Sequence, residues 1–323
     1  MQTNRMRRGF VAALAVLALC IACLGGMPAG FTLGMGGAQV VGICEILTQS
    51  GTVCPARDAG LNVGDVIVQF NGMEIRSAED MDSALACSDG TKAAVLVKSG
   101  ETRVSKQIVP AKDMTSGKYK LGILIRDSIS GIGTVTYIDP QSRRFGSLGH
   151  AVSGEDGALM SLVGGNMYHC SIVSVIRGER GKAGELKGLF LGENRIGTAE
   201  KNCETGIYGR FDESYDLSCL QQVPVSGSAA PGKASIYTTI NGTSPCEYSI
   251  SIVKVDAGNG KNKNFVLKVT DERLLSETGG IVQGMSGSPI LQGGKLIGAV
   301  THVFLNDPTR GYGIAIERML ANG

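Results

Sequence analysis

The run Gly284-Met285-Ser286-Gly287-Ser288-Pro289 has the residue types and spacing for covalent chemistry. A serine hydroxyl is a weak nucleophile; it needs an exposed position, a base, and donors aimed at the oxyanion that forms. Glycines on both sides of Ser286 permit the tight turn that presents it. Only His150, His169 and His302 can supply an imidazole base. His150 lies in the small-residue run Phe145-Gly-Ser-Leu-Gly-His-Ala-Val-Ser153, suited to a presented side chain, and precedes Ser286 in the chain. His302 follows Ser286 on a strand-like segment and is expected to line a substrate cleft. His169, between Tyr168 and Cys170, reads as structural. Spacing alone does not select an acid to orient the base: Asp271, Asp156, Asp212, Asp216 and Asp256 all remain, and Asp271 also fits the cap of a short helix ending at Gly279. No HExxH or similar pair exists, so neither a metal nor a cofactor is expected.

The elements that must hold these residues read mainly as strands. The chain has 323 residues, room for two domains and an appendage, with 47 Gly, 8 Phe, 8 Tyr and no Trp. Short apolar runs such as Ala234 to Ile240, Tyr248 to Val255, Phe265 to Val269 and Leu296 to Val300 are separated by Gly, Asn and Asp turns, the pattern of a barrel or sandwich. A net charge of +2 with 19% charged residues offers no broad basic surface for nucleic acid. The apolar fraction of 43% argues against a disordered or multi-span chain.

Residues 1–30 read as a signal peptide or membrane anchor: Arg5, Arg7 and Arg8 precede an uncharged apolar run from Phe10 to Leu24. The positive flank keeps Met1 inside and sends the remainder outside, so export is expected. The seven cysteines beyond Cys23 are odd in number and lack a CxxC pair, which leaves no legible zinc site or disulfide framework.

Residues 38–110 form a smaller module. Pro55-Ala56, Ala59-Gly60-Leu61, Gly64-Asp65, Ile67, Asn71-Gly72 and Ile75 resemble the core signature of PDZ domains. Ser77 to Cys87 reads as a helix capped by Ser77, with Met81, Ala84 and Leu85 on one face. The resemblance implies a groove between that helix and a strand edge, expected at Val40 to Ile43, where a peptide ligand adds as a further strand. The polar stretch Pro110 to Lys118 reads as the boundary, with a peptidase domain over 111–323.

The Gly284 to Pro289 motif is similar to that of chymotrypsin-like proteases, which implies a double β-barrel, an oxyanion hole from the N–H groups of Gly284 and Ser286, and Thr301 and His302 beside the substrate. Gly149-His150-Ala151, the segment Thr270 to Pro289 and the segment Gly298 to Gly313 together resemble the stage IV sporulation protein B peptidase family. That resemblance implies a catalytic set of His150, Asp271 and Ser286. It also implies an exported, membrane-associated serine endopeptidase acting between mother cell and forespore membranes of an endospore former. Its substrates would be itself and a membrane-bound regulator of an intramembrane metalloprotease, with activation of a late sigma factor as the result. Two alternatives compete: an HtrA-type quality-control protease, in which PDZ usually follows the protease domain, and a non-catalytic anchored PDZ adaptor, which predicts loss of a catalytic residue.

Overall fold

The computed structural model describes residues 21–99, 102–154, 157, 159–160 and 162–323. The chain is mainly β and divides into two units. The larger holds the described residues up to Phe31, together with Ser130–Met160 and Gly165–Gly323; the smaller holds Thr32–Ile129 and 161–164.

In the larger unit, six strands close a barrel in the order Gly232–Thr238, Cys246–Val255, Phe265–Val269, Asp307–Ala315, Lys295–Phe304 and Pro289–Gln292. Their inward residues, including Ile236, Ile250, Leu267, Ile290 and Val300, are almost fully buried in one core. Alternation of such residues with polar ones, as in Cys246–Val255, is what half-buried strands require. A second ring of pairings runs through Ile123–Ile138, Arg144–Ser147, Gly206–Phe211, Glu185–Cys203, Gly165–Ile176 and Pro28–Ile43, which pairs back to Ile123–Ile138. The expected double barrel is thus present as two rings of antiparallel strands.

The apolar N-terminal run ends differently from its reading as an anchor. Ile21–Leu24 is a strand, pairing Cys23 with Ile138 and Leu24 with Tyr137 on one side and Ala22 with Val223 on the other. Ala22, Cys23 and Leu24 are buried there. A strand enclosed on both faces is apolar throughout, so its sequence is indistinguishable from the end of a membrane segment. Residues 1–20, where the remainder of the expected anchor falls, lie outside the described residues. Among the described residues no helix is long and apolar enough to cross a membrane.

The smaller unit has the expected helix, Ala78–Ala86, with a capping box in which Ser77 accepts from Asp80 N–H and the Asp80 carboxylate accepts from Ser77 N–H. Met81 and Ala84 are buried against Ile67, Phe70, Ile75 and Val95. Strands Val66–Phe70, Ala93–Ser99 and Thr102–Ile108 pair in sequence beside it. The unit does not stop at Pro110. Leu121 is buried in its core, and Gly122 O accepts from Cys44 N–H at 2.9 Å, so the stretch to Ile129 belongs with it.

Candidate active site

Ser286 sits on a turn fixed from three sides. Thr134 donates its hydroxyl to Gly284 O (2.8 Å) and its N–H to Ser286 O (3.2 Å); Thr136 donates to Gly287 O (2.7 Å). Gly287 N–H donates to Val300 O (2.8 Å), tying the turn to the strand Lys295–Phe304. Gly287 is required at this point: its φ is +94°, and a Cβ would stand 2.1 Å from Thr134 O and 2.5 Å from Leu148 N. The same close approach brings the Leu148-Gly149-His150 segment against the turn. Leu148 and Gly149 both have left-handed backbone, with φ of 67° and 69°, and this double bend directs the chain at His150. A Cβ on Gly149 would lie 3.0 Å from Thr301 Cγ2, so the His150 loop also packs on the strand that follows the nucleophile turn.

These contacts collect Ser286, His150, Thr301 and His302 at one place. The His150 and His302 rings are 5.0 Å apart, centroid to centroid, and Thr301 is buried on the strand Lys295–Phe304. The Ser286 hydroxyl, partly exposed, donates to Thr301 O at 2.8 Å and to neither imidazole. His150 Nδ1 is 2.9 Å from Ala151 O. A carbonyl only accepts, so Nδ1 carries the proton and Nε2 is left as the basic nitrogen. Burial pushes the His150 pKa below its ordinary 6.5, opposed by the bond to Ala151. His302, exposed as a residue, has its ring against that of His150; desolvation there, then His150 and Lys263, lower its pKa to about 4. Both imidazoles are therefore neutral at pH 7. Among the described residues, neither Gly284 N–H nor Ser286 N–H donates to a protein acceptor, although the N–H groups of Met285, Gly287 and Ser288 all do.

Asp271 is not brought to this cluster. Its carboxylate caps the helix Glu272–Thr278, accepting from Arg273 N–H (3.0 Å) and Leu274 N–H (3.4 Å), and from Ser249 N–H (3.2 Å). The Arg273 guanidinium adds two further bonds. That guanidinium, more than the neighbouring N–H groups, holds the Asp271 carboxyl below its usual range. In the barrel order, the strand Asp307–Ala315 separates Phe265–Val269, which leads into Asp271, from the strand that carries Thr301. The expected orienting carboxylate is thus a satisfied helix cap, and the group on His150 Nδ1 is a backbone carbonyl. Of the other aspartates considered, Asp212 pairs with Arg195, Asp216 bonds Ser218 N–H, and the backbone of Asp256 closes a turn with Asn264; Asp156 lies outside the described residues. His169 is exposed, its ring tilted at 36° to that of Tyr215 with centroids 5.5 Å apart. All eight described cysteines are unpaired thiols.

Against this geometry, the family model for SpoIVB peptidase S55 matches residues 117–320. The chain belongs to the SpoIVB peptidase S55 family. It is a serine endopeptidase of a sporulation family, preceded by a PDZ domain whose model matches residues 48–98. A comparison with curated proteins finds no match. Among solved structures, the chain is similar to the PDZ domain of an SdrC-like protein from Listeria monocytogenes, at 21% identity over 28% of this chain and 87% of that one, with a TM-score of 0.23.

The smaller unit has a groove of its own, of about 660 Å³, between Met81, Asp82 and Leu85 of the helix and the stretch Tyr119–Ile125. The strand edge expected at Val40 to Ile43 is not free. That strand is enclosed instead: Val40 exchanges bonds with Gly64 and Asp65 on one side, and the strand Pro28–Ile43 that carries it also pairs with Ile123–Ile138, with Cys44 N–H donating to Gly122 O just beyond. A strand paired on both edges has no backbone groups left for a ligand. The wall facing the helix comes from beyond Pro110, inside the span of the peptidase family match. Gly34, on the strand Pro28–Ile43, is likewise engaged: its N–H donates to Gly164 O and its O accepts from Val163 N–H.

Proposed function

We propose that Ser286 attacks the scissile carbonyl, that His150 Nε2 takes its proton, and that Gly284 and Ser286 N–H groups receive the oxyanion. One observation carries this reading: among the described residues, the backbone N–H groups of Gly284 and Ser286 have no acceptor on the turn that presents Ser286, while the other backbone N–H and C=O groups of that turn are tied down. Unmade hydrogen bonds are costly unless a bound group completes them, and a developing oxyanion is such a group. The bond from the Ser286 hydroxyl to Thr301 O must break for the proton to reach His150, so the present geometry is a resting one; catalytic hydrogen bonds often tighten only with substrate bound. Thr301 and His302 flank the cleft. His150 is oriented by Ala151 O, and the reaction needs no metal or cofactor.

The likeness to the family supports a finer reading. The enzyme acts outside the cytoplasm, held by or released from its N-terminal segment, in the space between mother cell and forespore membranes. It cleaves itself and a membrane-bound regulator of an intramembrane metalloprotease, which leads to activation of a late sigma factor. The groove between the PDZ helix and Tyr119–Ile125 holds a peptide segment for the enzyme and does no chemistry. Intact-mass analysis of the purified chain beside Ser286→Ala tests the self-processing: truncation in the wild type alone supports it, and equal truncation in both removes it. A reporter active only in the cytoplasm, fused after Gly323, tests export and should stay silent.

A further inference from the structure

A cavity of about 390 Å³ opens beside Gly284, with Ile132, Leu186 and Phe190 as its apolar lining and Glu185 and Gln283 also bordering it. It is joined to the nucleophile turn through the backbone: Leu186 N–H donates to Gln283 O and Gln283 N–H to Gly184 O, both at 2.8 Å. A Cβ on Gly284 would lie 3.0 Å from Leu186 Cβ, so this wall touches the glycine itself. Thr134 holds Gly284 O, which leaves the glycine N–H as its free polar group.

We propose that this cavity seats the side chain of the residue that carries the scissile carbonyl, and that it selects a long side chain with an apolar stem and a cationic end, lysine or arginine. The proposal rests on the assignment of Gly284 N–H to the oxyanion. A carbonyl oxygen held there has its own Cα one bond from the carbonyl carbon, so the side chain starts beside Gly284. Glu185 and Gln283, both exposed, border the cavity, so an aliphatic side chain there is not fully buried. A lysine or arginine lays its methylenes on Ile132, Leu186 and Phe190 and keeps its charge in water. Glu185 is exposed, is the one charged residue lining the cavity, and makes no ion pair or side-chain hydrogen bond among the described residues. Its carboxylate is free to meet the incoming cation.

The test uses the full chain and peptide arylamides that differ only at the residue carrying the scissile carbonyl: lysine, arginine, leucine or glutamate. Expected kcat/KM values fall from lysine and arginine through leucine to glutamate. Glu185→Gln narrows the lysine-to-leucine ratio by about threefold to fivefold, as an exposed ion pair predicts, and Glu185→Lys raises glutamate relative to lysine. A wild-type preference for leucine, no preference, no turnover of the panel, or an equal effect of Glu185→Gln on lysine and leucine overturns the pocket. Labelling of Ser286 by a fluorophosphonate in the same preparation separates the two readings. Labelling without a cationic preference removes the pocket alone, whereas no labelling removes the chemistry and the pocket with it.

Discussion

Asp271 and Ser286 stand at the two ends of one short segment, and the polar atoms at those ends are treated in opposite ways. Every side of the Asp271 carboxylate is used, by Ser249, Arg273 and Leu274. At Ser286 the carbonyls are held, yet among the described residues two N–H groups are left open and the hydroxyl rests on a carbonyl it can leave. Structural sites satisfy their polar groups within the protein; a catalytic turn reserves some for the transition state. The contrast supports the proposal of chemistry at the Ser286 end and stability at the other, although residue type alone would allow both to be catalytic.

The largest effect that can break this contrast is at the nucleophile. Ser286→Ala should lower turnover on the order of 10⁶-fold with little change in melting temperature, and His150→Ala by a comparable factor. Steady-state kinetics on one peptide substrate, beside thermal melts, checks both. Gly287→Ala comes next: its Cβ meets Thr134 O and Leu148 N, so the turn and the His150 loop must part, at a cost of about 1–3 kcal/mol and most of the activity. A fully active, equally stable Gly287→Ala protein is incompatible with the packing described.

A smaller effect is expected at the other end. Asp271→Ala should lose about 1 kcal/mol through the missing cap, and Asp271→Asn only a few tenths, because asparagine caps nearly as well. Turnover in Asp271→Asn should stay within several-fold of the wild type. A fall of several orders of magnitude at an unchanged melting temperature would reinstate Asp271 as the orienting acid and undo the contrast.

The smallest predicted effects concern pH. The basic form of His150 is the one that accepts a proton, and burial lowers its pKa, so the acid limb of kcat/KM should fall below the ordinary imidazole value of 6.5. His302 has a folded pKa of about 4 against 6.5 unfolded. Its contribution to stability is therefore complete above pH 6.5 and is lost as pH falls toward 4. Denaturant melts at several pH values should show a shallower acid decline in His302→Gln than in the wild type.

The Ser286 turn and His150 stood out as candidates because a presented serine needs flanking glycines and because few histidines compete with His150. A barrel or sandwich was readable from short apolar runs broken by glycine, and the double barrel from the resemblance of the Gly284 to Pro289 motif. The groove wall was not, because Tyr119–Ile125 joins the PDZ unit through contacts with Cys44 and the helix that are remote in sequence. Ile21–Leu24 was hidden for another reason: a strand covered on both faces has no alternation to set it apart from an apolar anchor. Asp271 carried two meanings at once, since the carboxylate that orients an imidazole is equally good at capping a helix. Only its partners separate the two.

The most direct test of the account is intact-mass analysis after brief exposure to a fluorophosphonate. The wild type and Asp271→Asn should each gain one adduct at similar rates, mapped by peptide sequencing to Ser286, and Ser286→Ala should gain none. An adduct that forms equally on Ser286→Ala, or labelling that vanishes in Asp271→Asn while the protein stays folded, would contradict the assignment of chemistry to the Ser286 end alone.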